Sequence, residues 1–248
     1  MVALDPKTDF ESWNEVMAER YDPDHYHHHP NRIVRTIEGW RTRKVLRFLN
    51  VQANERVVDL GCGAGNMLEM LPEKAERWGV DLSTFLLDKA SKRLGVPWED
   101  PSKVTLQPTA KKTRLVRGNL QALPPVISEF GLFDKALCSE VIEHLPDPHL
   151  ALAEACTLLR PGATFVISVP DERRIDQIKG ALKKVRLLHR LFPDLPEKME
   201  DEWHLHCFDL QTLRKTVAGL PLKEKRCAGI PGRLMPLRWV VSYERLSG

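Results

Sequence analysis

This 248-residue chain has no long apolar run and no strong bias toward one charge. No stretch approaches the ~20 consecutive apolar residues of a membrane-spanning helix, so a spanning protein is not expected. Lys and Arg number 37 against 34 Asp and Glu, and the net charge of +3 does not by itself argue for nucleic acid. Cysteine is scarce: Cys62, Cys138, Cys156, Cys207 and Cys227 are odd in number and contain no CxxC pair. That pattern excludes a disulfide framework as the expected reading and favours reduced, packed thiols in a cytoplasmic protein. The segment Met1–Pro6 has no basic stretch followed by an apolar one, so no secretory signal is expected. No internal repeat is found either. What remains is an ordinary globular composition, 42% hydrophobic and 29% charged, with length for one α/β domain and some elaboration.

The most informative stretch is Val57-Val58-Asp59-Leu60-Gly61-Cys62-Gly63-Ala64-Gly65-Asn66. Val57, Val58 and Leu60 suit a strand buried on both faces. Glycines at alternate positions let the backbone turn tightly and approach a ligand closely. The run Met67–Leu71 then predicts a short helix whose N-terminus faces that ligand. The dinucleotide fingerprint would place glycine or alanine where Asn66 stands, which disfavours a nicotinamide dehydrogenase. A second predicted strand over 75–83 carries Asp81, twenty positions beyond Gly61. A carboxylate there can accept from two vicinal ribose hydroxyls. Ser83 is the better cap for the helix predicted over Thr84–Leu94, which frees Asp81 for that role.

The pattern apolar-apolar-Asp-Leu-Gly-Cys-Gly-x-Gly resembles the first motif of class I S-adenosylmethionine-dependent methyltransferases. Ser139-Glu140-Val141-Ile142-Glu143-His144-Leu145-Pro146 is similar to the fourth motif of their small-molecule members, including the ubiquinone-biosynthesis O-methyltransferases. Leu158-Leu159-Arg160-Pro161-Gly162-Ala163 resembles the family's turn before the fifth strand. The resemblance covers about residues 32–245. It implies a doubly wound, mostly parallel, seven-stranded Rossmann-like sheet ending in an antiparallel hairpin, with S-adenosylmethionine as cofactor. The implied cofactor contacts are Asp59, Gly61, Cys62, Gly63, Gly65, Asp81, Leu82, Asn119, Leu120 and Ser139. At Asn119 the family usually carries an aspartate for the adenine amino group; the amide oxygen of asparagine can still accept that bond. Ser139, Glu140 and His144 face the transferred methyl group, with His144 and Glu140 as the catalytic candidates.

The rest of the chain reads as elaboration of a single domain over 1–248. Residues 1–50 form a helical cap: one helix near Phe10–Arg20, a histidine-rich loop over 25–29, and an amphipathic helix over Asn31–Leu49. The stripe Ile33, Ile37, Trp40, Val45, Phe48 and Leu49 should pack that second helix on the sheet. Residues 96–112 read as a loop insertion. Residues 171–203 interrupt the strand–helix alternation. Ile175, Ile178, Leu182, Val185, Leu188 and Leu191 recur there at helical spacing among lysines and arginines. Such a helix can close over a substrate as a lid, or lie peripherally on a membrane. Asp209 can cap a helix over 210–217, and 222–228 and 238–245 read as the terminal strands.

Three functions remain open on this reading. The first is methyl transfer to a small-molecule acceptor, with no metal and with His144 as a base of near-neutral pKa. The second is a metal-dependent RNA 2′-O-methyltransferase. Its similarity lies in the E-x-x-E-H group Glu140, Glu143 and His144, with His204 or His206 beyond it. No added RNA-binding segment is evident, so a nucleic-acid partner is not favoured. The third is a non-catalytic subunit that binds S-adenosylmethionine.

Overall fold

The computed structural model describes residues 5–103, 112–192 and 202–247. The middle of the 96–112 insertion and residues 193–201 of the 171–203 segment lie outside the described residues, as do the side chains of Tyr26, His27, His28, His189 and Leu191.

Helices α1 (Phe10–Tyr21) and α2 (Arg32–Leu49) precede the sheet, separated by a 3-10 turn at Pro23–His28. Asp9 and Asn31 cap them, each side chain accepting from a first-turn N–H. Then follow β1 (Arg56–Leu60), α3 (Asn66–Glu69), β2 (Glu76–Asp81), α4 (Thr84–Leu94), β3 (Trp98–Glu99), β4 (Thr113–Arg117), α5 (Pro125–Glu129) and β5 (Phe133–Ser139). A 3-10 turn at Ile142–His144 leads to α6 (Pro148–Thr157), β6 (Leu159–Pro170), α7 (Glu172–Lys184), α8 (Leu188–Leu191), α9 (Leu210–Thr216), β7 (Leu222–Ile230) and β8 (Arg238–Arg245).

The strand order is β3-β4-β2-β1-β5-β6-β8-β7. The first six strands run parallel; β8 is antiparallel to both β6 and β7. The order reverses beside β1, whose neighbours are β2 and β5, and a doubly wound sheet opens its ligand crevice at such a point. Successive strand residues point to opposite faces, and the core divides accordingly. Val58, Leu60, Trp78 and Phe165 belong to one buried cluster, and Val57, Leu115, Leu137 and Val166 to the other. A third cluster, Trp13, Met17, Ala18, Leu86 and Trp203, ties α1 to α4 and to residue 203.

Two expectations need correction. The sheet has eight strands rather than seven, because Trp98 and Glu99 pair in parallel with Leu115 and Val116 inside the span read as a loop. Two residues carry no detectable periodicity, so only the neighbouring edge of β4 reveals that strand. The stripe of α2 is also rotated. Ile33 and Trp40 are 45% and 43% exposed, while Arg41 and Thr42 are buried with Val45, Phe48 and Leu49. An arginine turns inward here because partners await it: Glu38 on its own helix and Ser139 at the end of β5.

Candidate functional site

The carboxyl ends of β1, β2, β4 and β5 border a cavity of about 350 Å³. Of the residues singled out in the sequence, Asp59, Gly61, Cys62, Gly63, Asp81, Leu82, Asn119, Leu120, Ser139, Glu140 and His144 line it. Gly65 does not. Its positive φ of 79° sets the N-cap of α3, and a Cβ there would press on Ala90 and Leu94 of α4 at 3.1–3.4 Å. Gly61 serves packing as well, since a Cβ would come within 2.5 Å of Val141. Only Gly63 of the three borders open space, with nothing within 4 Å of a built Cβ. The close-approach role expected of three glycines therefore falls to one, while the other two let the turn pack.

Two buried carboxylates stand near the carboxyl ends of β1 and β2. Asp81 is held as an acceptor: Oδ2 takes the Gly63 N–H at 2.7 Å and Oδ1 the Ser83 N–H at 2.9 Å. Ser83 caps α4 through Leu86 N, as expected from the sequence. Asp59 is 2% exposed, and its Oδ2 has no hydrogen-bond partner among the described residues. Burial, reinforced by the Asp81 charge, pushes its carboxyl up to about 8. Burial also raises Asp81 to about 6, against the pull of the Ser83 and Gly63 amides. A buried acceptor without a donor is costly to leave so. The site therefore fits a ligand that brings a cation or hydroxyl donors, as the ribose and ammonium groups of S-adenosylmethionine do. Asn119 accepts the Gln121 N–H at Oδ1, which orients its amide at the cavity wall.

A second group of side chains lining the cavity comes from the end of β5 and its neighbours. Glu140 sits just past β5 with φ of 56°, a left-handed conformation uncommon outside glycine. Its Oε1 accepts from Ser168 Oγ, and its Oε2 pairs with Arg238 at 2.6 Å. Arg41 binds Glu38 and Ser139 beside it; burial works against the Arg41 charge, but the Glu38 and Glu140 carboxylates outweigh it and raise its pKa. His144 differs from expectation. Burial, then the neighbouring His204, drives its pKa down to about 3, so the ring is neutral and weakly basic. A strand-end position beside apolar Trp203, 4.4 Å ring to ring, supplies the desolvation that the sequence did not show.

Glu143, His144 and His204 present ligand atoms within 4.8 Å of one another. His144 Nδ1 contacts the Trp203 carbonyl and His204 Nδ1 contacts Glu172 Oε1 at 2.7 Å, which leaves both Nε2 atoms available. Glu143 is 1% exposed, its Oε2 has no hydrogen-bond partner among the described residues, and burial with the nearby Glu140 charge raises its pKa well above the ordinary range. Glu140 and His206 are not part of this group. Glu140 is engaged by Arg238, and His206 Nε2 by the Pro146 carbonyl.

The insertion forms the remaining wall. Ile175, Ile178 and Leu182 of α7, with Leu188 and Phe192 beyond, line the cavity. Val185 departs from the stripe and is 61% exposed. From the cap, Phe10, Asn14, Ala18, Pro23 and Asp24 also line it. Sequence reasoning missed Glu38, Arg41, Glu172, Trp203 and Arg238. The local signal was faint: an arginine four residues before Val45 on a helix already rich in arginine looks like solvent-facing charge.

A methyltransferase-domain family model matches residues 26–220. The chain is 33% identical over 143 residues to a ubiquinone biosynthesis O-methyltransferase of Psychrobacter cryohalolentis, covering 56% of this chain and 51% of that one. It is 31% identical over 166 residues to a demethylmenaquinone methyltransferase of Lactiplantibacillus plantarum, covering 63% and 64%. The matched region thus spans about half to two thirds of those relatives. Among solved structures, magnesium protoporphyrin IX methyltransferase of Synechocystis PCC 6803 with bound SAM superposes with a TM-score of 0.63 at 16% identity, covering 99% of both chains. The N-methyltransferase NodS of Bradyrhizobium japonicum WM9, with S-adenosyl-L-homocysteine, gives 0.62 at 15% identity, covering 96% and 100%. Those two likenesses concern the fold. The family-model match, over well more than half of the chain, shows that the chain belongs to the methyltransferase-domain family, and its glycine turn, Asp81 and fold are those of the class I S-adenosylmethionine-dependent methyltransferases.

Proposed function

We propose that this chain transfers the methyl group of S-adenosylmethionine to a small, partly apolar acceptor. The observation that supports this most is that one cavity is lined both by Asp59, Asp81 and the Gly63 backbone and by the apolar stripe of α7. When bound, the cofactor supplies an already electrophilic methyl on a sulfonium. The chain's own task is then largely orientation and exclusion of water, which can contribute much of the rate. Asp81 holds the ribose hydroxyls, Asp59 takes the ammonium group, and Asn119 and Leu120 flank the base. Ser139 and Glu140 border the methyl position. His144, neutral and fixed by the Trp203 carbonyl, orients the nucleophile by accepting a hydrogen bond, and the proton that a phenolic acceptor loses on methylation passes to solvent, because a ring of pKa about 3 does not keep it. The names of the relatives make a quinone-type phenol the first acceptor to try.

A second reading adds a divalent ion, favoured by the convergence of Glu143, His144 and His204. One carboxylate and two imidazoles suit a borderline metal. The sequence resemblance joined such an ion to an RNA acceptor, whereas the α7 stripe favours a small one.

Calorimetry with S-adenosylhomocysteine tests the cofactor half. Asp81→Ala should weaken binding by about 3–6 kcal/mol, from two charge-assisted bonds of about 1.5–3 kcal/mol each. Unchanged affinity would remove the ribose role. Transfer of labelled methyl to a panel of phenols and catechols tests the acceptor half; no transfer to any, with tight cofactor binding, would favour the non-catalytic subunit.

A further inference from the structure

The cap and the insertion are far apart in the chain, with Tyr21 and Glu202 separated by 181 positions, yet they meet at one place. Tyr21 is the last residue of α1, and its hydroxyl donates to Glu202 Oε2 at 2.5 Å. Arg20 Nη1 reaches the same oxygen at 2.7 Å. The next residue, Trp203, stacks on Tyr21 with centroids 6.0 Å apart and planes 20° apart. Trp203 also completes the buried cluster of Trp13, Met17, Ala18 and Leu86.

From that meeting point the segment runs to the group at the end of β5. The Trp203 carbonyl contacts His144 Nδ1, the Leu205 and His206 amides both donate to the Glu143 carbonyl, and His204 binds Glu172 at the start of α7. The cap has its own anchors on the cofactor side. Asp24 pairs with Arg93 and accepts from Asn66 beside the glycine turn, Asp22 pairs with Lys89, and Glu15 accepts from Thr84 and Phe85 at the start of α4.

We propose that Tyr21 and Glu202 are a positioning pair, a clasp through which cofactor bound under the cap orders the acceptor half of the cavity. The inference rests on the cofactor reading above. Neither residue lines the cavity, so neither is a catalytic residue. Their effect is a coupling between two sites, and such coupling is reciprocal: acceptor seated against α7 tightens the hold on cofactor.

Hydrogen exchange with S-adenosylhomocysteine tests this without an identified acceptor. In the full-length wild type, the ligand should slow exchange in the cap peptide Trp13–Tyr21, in α7 over Ile175–Leu182, and over Trp203–His206. The slowing in the last two should be about fivefold or more, the low end of usual couplings. The double variant Tyr21→Phe with Glu202→Met keeps both side-chain lengths while removing both polar links. It should bind S-adenosylhomocysteine with nearly wild-type affinity and keep the protection of the cap. It should lose most of the protection at 175–182 and 203–206. Equal protection of these peptides in wild type and variant would overturn the clasp, as would a wild type in which the ligand protects the cap alone. A wild type that does not bind S-adenosylhomocysteine at all, seen by calorimetry, would overturn the cofactor reading and the clasp with it.

Discussion

The backbone N–H of Gly63 donates to Asp81 Oδ2 at 2.7 Å, joining the turn after β1 to the end of β2. The glycine turn and the acid at the end of the next strand are thus one hydrogen-bonded unit. The glycines flanking Gly63 do different work, and substitution should separate them.

Gly61→Ala would add a Cβ 2.5–2.7 Å from the Val141 methyls at a φ of 78°. A loss of stability of about 2–4 kcal/mol is expected from overpacking and left-handed strain together. Pairing it with Val141→Ala should recover the steric part. Gly63→Ala meets open space, so the protein should fold with a loss of about 1–2 kcal/mol while S-adenosylhomocysteine affinity drops. Thermal melts and calorimetry on the three variants check this; a Gly63→Ala protein that binds normally would leave the turn with chain reversal alone.

The Asp59 carboxyl has a folded-state value of about 8, against an ordinary value of about 3.9. Between those values the folded state holds a proton that the unfolded state has lost. Its contribution to stability is therefore full below about pH 4 and is lost as pH rises through 8. Asp59→Asn should melt higher than the wild type at pH 8–9 without ligand, by about 2–4 °C, the shift that ~1 kcal/mol produces in a chain of this length. At pH 4 the two should coincide. Parallel melting curves across the range would show that Asp59 does not titrate in this way.

Ile178 faces the cavity from α7. Ile178→Ser should leave S-adenosylhomocysteine affinity unchanged and raise the acceptor KM about tenfold, the value of roughly 1–3 kcal/mol of apolar contact. Kinetics with a phenol that the wild type methylates would measure it. A variant impaired in cofactor binding but not in KM would place α7 over the wrong half of the cavity.

Metal removal distinguishes the two readings of the Glu143, His144 and His204 group. On the metal-free reading, chelator-treated protein keeps its transfer rate, and Glu143→Gln alters it only modestly. A rate that vanishes on chelation and returns with one divalent ion, but not in Glu143→Gln, would establish the second reading.

The sequence by itself determined the order of the longer strands and helices from β1 onward, though not the two-residue β3 or the short α5, together with the glycine turn, Asp81 and the strand-end run at 139–144. Those features are local: a buried strand, a turn and a cap each declare themselves within a few residues, and their spacing carries the doubly wound topology. The helix over 84–94 and the strand over 238–245 have the bounds read from the sequence. Only the tertiary structure decided which side chains face the cavity and in what charge state. Arg41 turns inward because Glu38 and Ser139 meet it. The two-residue β3 exists because β4 offers an edge. His144 loses its basicity because Trp203, fifty-nine residues later, covers it. Desolvation and charge pairing depend on neighbours that the chain brings together only by folding, so no local pattern could have announced them.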